Sequence, residues 1–426
     1  MCISVHQLCY VHADKEPLFQ DINLTVNKGQ RLALVGNNGT GKSTLLRIIE
    51  GSLQPSSGEI ICSSRPYYIP QHFGQFDRLT VAEALGVDDR IKAFHAILEG
   101  DTSVENFISL NDDWNVEERC LSALAFWDLG HLQLSRPMHS LSGGEKTKVF
   151  LSGILVHAPE IILMDEPTNH LDVASREKLY EMVKNGRSTM LIVSHDRMLL
   201  NLLPCICELE RNAITLYGGN FDFYKEQKEL ALTALQNRLG EKKKELRQAC
   251  KLAREVMERK NKMNARSEKY AFKKGISRMA VNTLKDKAEK STVRLGDTHE
   301  EKMVSLQDSI TDLQNAMPGL RGLQTDFNSS NLHIGKILIV AEQINFGYTS
   351  SSLWQFPMDI QVRSGDRIHI SGNNGSGKTT LVKLLLGELE PTVGTIMRTG
   401  FSYLYIDQEC SVIDPRLTVF EQTERF

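Results

Sequence analysis

The chain has 426 residues, with 41% hydrophobic and 24% charged side chains and a formal net charge of −3. That length exceeds one compact core and predicts two or three domains, while the ordinary composition excludes a fibrous or intrinsically disordered chain. The apolar runs are far shorter than the roughly 18 to 20 residues of a membrane helix, and the N-terminus lacks a secretory signal, so we expect a cytoplasmic protein without a membrane span.

The first elements along the chain predict a P-loop core of the α/β class. Alternating apolar residues over 22–26 indicate a strand, and a Gly turn and a short apolar strand then lead into the loop GNNGTGKST and a helix. In such a loop the backbone N–H groups converge on phosphate oxygens, Lys42 neutralises phosphate charge and Ser43 ligates Mg²⁺. The predicted ATP-binding residues here are Gly36, Asn37, Asn38, Gly39, Thr40, Gly41, Lys42, Ser43 and Thr44.

An acidic pair follows the apolar strand IILM further along the chain. Asp165 can hold Mg²⁺, and Glu166 can polarise an attacking water as a general base. Acidic residues at a strand end also serve as turn or helix-capping residues. The P-loop upstream favours the catalytic interpretation.

The segment LSGGE precedes a predicted helix and offers a hydroxyl group and glycine N–H groups at the helix N-terminus. This combination suits an anion site. A simple helix cap with flexible glycines fits the same residues. The candidates are Ser142, Gly143, Gly144 and Glu145.

A basic segment follows. Residues 225–294 carry 21 Lys and Arg against 9 Asp and Glu, a local balance of +12 in a chain whose remainder is −15. Apolar residues recur every seven positions at Leu232, Leu239, Leu246 and Ala253, with companions at Leu235, Ala249, Val256 and Met263. A second apolar series after Gly275 includes Met303, Leu306, Ile310, Leu313 and Met317. The sequence therefore predicts a hairpin arm of two helices.

The last segment repeats the first. GNNGSGKTT lies 336 residues after the first P-loop, which indicates a domain duplication in which a short apolar strand again precedes the loop. The second set of predicted ATP-binding residues is Gly372, Asn373, Asn374, Gly375, Ser376, Gly377, Lys378, Thr379 and Thr380. The predicted domains are 1–222, the linker 223–334, and 335–426.

These motifs, together with YIPQ, DEPTNHLD and VSHD, resemble the ATP-binding cassette family in kind and in order. The resemblance implies ATP and Mg²⁺ as cofactors, with tandem P-loop α/β cassettes around a helical hairpin. It implies that Tyr10 stacks on adenine and that Ser142, Gly143 and Gly144 touch ATP held by the opposite cassette. From the residues alone, His195 can also be a capping residue and Tyr10 a core residue. The implied catalytic set is Glu166, His195 and Gln71, and the implied metal set is Ser43, Gln71, Asp165, Thr379 and Gln408.

Tandem cassettes, the wording DEPTNHLD and the charged linker resemble subfamily F, whose members act on the ribosome. The resemblance implies a translation factor or an antibiotic-resistance factor whose linker contacts tRNA and rRNA, with Tyr270 or Phe272 stacking on a base at the turn. A solvated coiled coil is the alternative, and the local charge of +12 favours RNA. The candidate RNA contacts are Lys242, Lys243, Lys244, Arg266, Lys273, Lys274 and Arg278.

Two other functions fit the motifs: the energising subunit of a membrane importer, which needs no basic arm, and a binding module that does not hydrolyse ATP. The second copy stops before its signature, acidic pair and histidine, so neither composite site is complete within the chain. A partial sequence, a natural truncation, and self-association through first cassettes that supplies a signature in trans are the competing explanations. We favour the first.

Overall fold

The computed structural model describes residues 2–12, 16–211, 213–273, 300–314, 332–348, 352–372, 375–407, 413–414 and 417–423. The first copy contains a large sheet and a small sheet. The strands of the large sheet are β3 (Arg31–Val35), β5 (Tyr67–Ile69), β6 (Ile161–Asp165), β7 (Thr189–Val193), β8 (Cys205–Leu209) and β9 (Ile214–Gly218). Those of the small sheet are β1 (Ile3–Val11), β2 (Pro17–Val26) and β4 (Ser57–Cys62).

The large sheet has the order β5-β6-β7-β3-β8-β9 and is parallel except for the antiparallel edge strand β9. β6, β7 and β8 are buried along their whole length because helices and the small sheet cover both faces. The small sheet has the antiparallel order β2-β1-β4. The alternation over 22–26 predicted β2 correctly, since its apolar residues are buried.

Helices cover the large sheet and link its strands. They are α1 (Lys42–Glu50), α2 (Val81–Ala84), α3 (Asp88–Leu98), α4 (Val104–Leu110), α5 (Val116–Phe126), α6 (Gly143–His157), α7 (Val173–Asn185) and α8 (Arg197–Asn201). α1 packs with β3 and the small sheet, whereas α5 and α6 belong to the core on the other face around the fully buried Trp127. The phosphate loop therefore lies at the carboxyl edge of a sheet that is packed on both sides.

The linker begins with one long helix, α9 (Phe221–Lys273), and a second helical stretch, α10, covers 300–314. Half-exposed positions on α9 follow the predicted heptads at Leu232, Leu239, Leu246 and Ala253, and Leu306 and Ile310 of α10 are buried. Cys250 Sγ of α9 lies 3.4 Å from Met303 Sδ of α10. The predicted packing of the two helices is thus confirmed over the described part. Among the described helices, none combines the length and the apolar character that crossing a membrane requires.

One detail of the predicted arm is wrong. Tyr270 and Phe272 were predicted at the turn between the two helices, but α9 continues to Lys273 and contains both residues. The helix continues because residues 264–273 include no Gly or Pro that would end it.

The second copy repeats the small sheet and the P-loop helix. β10 (Ile337–Asn345), β11 (Met358–Arg363) and β12 (Val393–Arg398) pair in the order β11-β10-β12, and α11 (Lys378–Leu386) and α12 (Val419–Thr423) follow in the chain as helices. Ile3 pairs with Cys62, and 336 residues later Ile339 pairs with Arg398. The duplication therefore extends to the residue-by-residue register of the strands.

The short strand expected before the second P-loop is not present, since residues 367–371 have no strand conformation. In the first copy the corresponding strand, β3, is hydrogen-bonded between β7 and β8. The 426 residues include no second copy of β7 or β8. A central parallel strand needs both neighbours to satisfy its backbone, so the sequence pattern alone does not produce one.

Candidate nucleotide-binding site

The first P-loop joins β3 to α1, and its shape depends on glycine. Gly41 has a φ of 93°, and a Cβ at this position would lie 2.6 Å from Cδ2 of Leu18. Only glycine fits both the left-handed backbone and the close contact. Since Gly41 has no side chain to cap α1, the first N–H groups of the helix remain available for phosphate oxygens.

Lys42 is held across this loop by the loop's own carbonyl groups. Its Nζ donates to the carbonyl oxygens of Gly36 at 2.8 Å and Asn37 at 3.1 Å. Burial lowers the pKa of the Lys42 ammonium, and the charges of Glu166 and Asp165 oppose that effect. The ammonium is therefore placed where it can neutralise phosphate charge.

Asp165 ends β6 and is almost fully buried, at 2% exposure. Its carboxylate accepts hydrogen bonds from the Ser43 hydroxyl and, at 3.4 Å, from Tyr68 Oη. Burial raises the pKa of Asp165, and these hydrogen bonds and the Lys42 charge oppose the rise.

The oxygen groups of Ser43, Asp165 and Gln71 suit Mg²⁺, which prefers carboxylate, hydroxyl and amide oxygens. Within the described ranges, no group of three or more His, Cys, Asp or Glu side chains is arranged for a metal. A few protein oxygens are sufficient for Mg²⁺, because this ion retains waters and binds substrate phosphates. The donor set therefore fits the predicted ion, and these three residues would hold it.

Glu166 lies at a sharp turn after β6. Its φ is 50°, and its N–H donates to the Val193 carbonyl oxygen at 2.8 Å. The N–H of His195 donates to Glu166 Oε2 at 3.1 Å, and His195 Nε2 lies 3.5 Å from Oε1. Burial raises the pKa of Glu166, and the nearby His195 opposes the rise. A left-handed backbone and a raised pKa at one carboxylate are features that concentrate at catalytic positions.

These groups surround one cavity of about 500 Å³. The predicted site residues that line it are Asn38, Gly39, Gly41, Lys42, Ser43, Thr44, Gln71, Asp165, Glu166 and His195. Sequence reasoning did not include the other lining residues, which are His12, Leu18, Asn169 and Val193. Gly36, Asn37 and Thr40 belong to the loop but do not line the cavity.

The predicted adenine residue, Tyr10, does not line the cavity, and its stacking on adenine stays a prediction. Tyr10 is half-buried and packs against the small-sheet core, with its ring 6.2 Å from that of Phe19, whereas His12 lines the cavity. The two small sheets share their register, so Tyr10 of the first copy corresponds to Phe346 of the second, and His12 corresponds to Tyr348. Applying the offset of 336 to the segment NFGY would have indicated His12 as a second candidate beside Tyr10.

The signature residues form a helix cap away from this cavity. Ser142 caps α6 in a reciprocal arrangement with Glu145, in which the Ser142 N–H donates to Glu145 Oε2 at 2.8 Å and the Glu145 N–H donates to Ser142 Oγ at 3.3 Å. Ser142 and Gly143 are exposed, and Gly144 is buried. Their contact with ATP of an opposite cassette stays a prediction.

In its described residues, the second P-loop has the same local geometry as the first. Lys378 Nζ donates to the Gly372 carbonyl oxygen at 2.8 Å, as Lys42 does to Gly36. Tyr348 Oη lies 3.0 Å from Thr380 Oγ1, and Thr379 is exposed. The described loop and helix start comprise Gly372, Gly375, Ser376, Gly377, Lys378, Thr379 and Thr380, while Asn373, Asn374 and Gln408 lie outside the described residues.

The candidate RNA contacts differ in exposure. Lys243, Lys244 and Arg266 are exposed on α9. Lys242 is half-exposed and pairs with Glu245 at 2.8 Å, so it is less available to a phosphate group. Lys273 is the last residue of α9, and Lys274 and Arg278 lie outside the described residues.

Comparison with known proteins identifies the family. The sequence matches the family described as ABC transporter over residues 19–169 and 356–426, which is more than half of the chain. The chain belongs to the ATP-binding cassette family. The resemblance to its subfamily F, drawn from the motifs, is confirmed, as is the P-loop α/β cassette fold.

Several curated relatives of this cassette chain are named as ATP-binding proteins. It is 31% identical to the ATP-binding protein Uup of Haemophilus influenzae over 97% of its own length and 61% of that protein. It is 29% identical to Uup of Escherichia coli, covering 98% of the chain and 63% of the relative. The tylosin resistance ATP-binding protein TlrC of Streptomyces fradiae is 27% identical, over 98% and 78% of the two chains. The cassette chain thus spans less than two thirds of the length of these Uup relatives.

Proposed function

We propose that this protein binds ATP with Mg²⁺, hydrolyses it at the first cassette, and uses the nucleotide cycle to move its basic linker against tRNA and rRNA on the ribosome. One observation carries the proposal: Lys42, Asp165, Glu166 and His195 converge on a single cavity. The three types of group that phosphoryl transfer needs, namely a cation, a metal-binding carboxylate and a general base, thus face the same space.

The residues divide the chemistry between them. Glu166 accepts the proton of the attacking water while the water oxygen bonds to the γ-phosphorus and the bond to ADP breaks. His195 lies against Glu166 at 3.5 Å, and it both orients this carboxylate and contacts the γ-phosphate. Lys42 neutralises charge on the phosphates. Mg²⁺, held by Ser43, Asp165 and Gln71, would supply further neutralisation of the phosphate oxygens.

The linker supports the ribosomal part of the proposal. Its exposed lysines lie on a long helix in a chain whose remainder is acidic, and such a charge distribution suits contact with phosphate groups. A relative named for tylosin resistance makes antibiotic resistance one form of this function, and a translation factor is the other. An importer subunit requires a docking surface for a membrane partner and has no use for a basic arm.

The substitution Glu166→Gln tests the catalytic assignment. We expect ATP turnover, measured as phosphate release, to fall roughly 10²- to 10⁴-fold, because removal of a general base typically has an effect of this size. ATP binding persists, so the variant remains on ribosomes in co-sedimentation with ATP. Glu160→Gln is the matched control, since Glu160 lies on the surface beside Lys28.

Unchanged turnover in Glu166→Gln would contradict the general-base role. A wild-type protein that binds ATP without releasing phosphate would instead be a binding module. Recovery with membranes and not with ribosomes would support the importer.

A further inference from the structure

The root of the linker helix is attached to the first cassette by a partly buried ion pair. Lys228, two turns into α9, places its Nζ 2.6 Å from Oε1 and 2.7 Å from Oε2 of Glu208. Glu208 is 8% exposed. Tyr217 Oη donates to the same carboxylate at 3.3 Å, and Tyr224 of α9 also bonds to it. A buried carboxylate with this many donors holds its partners in one geometry.

Glu208 is also part of the strand beside the phosphate loop. It lies on β8 in register with Val35, the last residue of β3 before the P-loop. The next residue, Gly36, is so close to β8 that a Cβ would lie 2.6 Å from the Leu209 carbonyl oxygen. The backbone of the P-loop and the strand that carries Glu208 are therefore in direct contact. A shift of one requires a shift of the other, because packed interiors have no space to absorb it.

A second contact joins the helix root to the element that carries His195. The N–H of Asp222, in the first turn of α9, donates to Asn201 Oδ1 at 3.1 Å. Asn201 ends α8, and Asp196, next to His195, caps the start of that helix through the N–H of Met198 at 2.9 Å. Elements from two sides of the nucleotide cavity, β8 beside the P-loop and α8 after His195, thus contact the first two turns of α9.

From this geometry we infer that the Glu208–Lys228 pair is the joint through which nucleotide at the first P-loop sets the orientation of the linker helix. Lys228 acts as a positioning residue and touches no nucleotide. The inference rests on the proposed function, in which the linker moves with the nucleotide cycle. A pair that only fastens the helix would leave the response of the linker to nucleotide unchanged when it is replaced.

The test is a distance measurement within the chain. Spin labels are introduced as noncanonical amino acids at Leu252 on α9 and Leu98 at the end of α3, both exposed, and the native cysteines are left in place. The interlabel distance is measured without nucleotide and with a nonhydrolysable ATP analogue and Mg²⁺. We expect a nucleotide-dependent shift in the wild type, loss of most of that shift in Lys228→Met, and its retention in Lys228→Arg. Nucleotide is kept saturating for every variant, so that a change in ATP affinity cannot account for a lost shift.

Two further variants separate coupling from folding. Lys225→Met is the matched control, because Lys225 makes an exposed pair with Glu229 at 3.7 Å on the same helix, and it keeps the full shift. The double variant Glu208→Gln with Lys228→Met removes the unpaired buried charge that Lys228→Met leaves. We expect the double variant to regain thermal stability but not the shift. Recovery of the shift together with stability would show that the pair only fastens the helix and would overturn the inference.

The outcomes for the joint and for the ribosomal function are distinguishable. A full shift in Lys228→Met, or no shift in the wild type, overturns the joint whatever the ribosome experiments show. A normal shift in the wild type that is lost in Lys228→Met, without any affinity for ribosomes, supports the joint and contradicts the proposed function.

Discussion

Asp165 and Glu166 are adjacent in the sequence but have different neighbours. Asp165 accepts hydrogen bonds from Ser43 and Tyr68, whereas Glu166 turns towards His195. The two side chains point in different directions because the left-handed backbone at Glu166 redirects the chain directly after β6. One carboxylate therefore faces Ser43 of the P-loop, and the other faces His195. This arrangement separates the two roles that the proposed reaction needs.

His12 provides a prediction at the same scale. We expect His12→Ala to weaken ATP binding by about 1–3 kcal/mol, the usual contribution of a ring stacked on a base, and His12→Tyr to retain or strengthen it. Isothermal titration with ATP and Mg²⁺ measures both. Tyr10→Phe is the control, because it preserves the ring that packs in the core. Unchanged affinity in His12→Ala would contradict a contact between the His12 ring and adenine.

The motif residues and His12, the ring that lines the cavity, were not equally predictable. Lys42, Asp165 and His195 lie at or after the ends of buried strands that pair without register shifts, so the order of residues alone places them on the cavity. β1 instead changes its register with β2 on either side of Tyr10, and Gln7 has a φ of 46°. Each irregularity changes which residues face the core. The side-chain direction after such bulges cannot be derived from alternation.

Among the elements, α9 has a charged residue, Lys242, at one of its apolar heptad positions. The heptad companions of the linker are spaced by seven from Leu235 to Met263, and Lys242 occupies the position between Leu235 and Ala249. Its partial burial agrees with that placement. A polar residue in an apolar seam typically fixes the register of helix pairing. Lys242 is therefore a weaker RNA candidate than its neighbours Lys243 and Lys244.

Packing between α9 and α10 gives a prediction for the arm. Ile310 is 7% exposed on the face of α10 that includes Leu306. We expect Ile310→Ala to destabilise the arm by about 2–4 kcal/mol through lost burial and a cavity. Hydrogen exchange of the α9 amides over 232–256 should accelerate accordingly. Val304→Ala, at a position with 54% exposure, is the control, and equal acceleration in both variants would contradict the packing.

The strand expected before the second P-loop was harder to predict from the sequence than the helices were. Helices α1 and α11 were both predictable because their hydrogen bonds are internal to the segment. The strand depends on residues far away in the sequence, so its apolar pattern is necessary but not sufficient.

At the scale of the whole molecule, charge is segregated along the chain. The basic segment carries +12 and the remainder −15, so the cassettes and the arm have opposite preferences for a polyanion. An acidic body repels nucleic acid, while the arm attracts it. This distribution favours one orientation on an RNA surface, with the arm inward.

Salt dependence tests this orientation. We expect the logarithm of the ribosome binding constant to fall linearly with the logarithm of salt concentration, and Lys243→Ala with Lys244→Ala to reduce the slope by roughly 1–2 through lost phosphate contacts. Sedimentation across a salt series provides the measurement. Lys28→Ala, which removes an exposed cation of the first cassette, should leave the slope unchanged. Equal slopes in all three proteins would exclude the arm as the RNA contact.

The matched registers of the two small sheets have a consequence for how long each half retains nucleotide. An imidazole at position 12 stands where the repeat has the larger phenol of Tyr348. A larger aromatic face buries more of a purine, so we expect the two halves to retain nucleotide for unequal times when ATP is scarce. A different ring at this position would then give the protein a slow half and a fast half, and hence an order to its cycle.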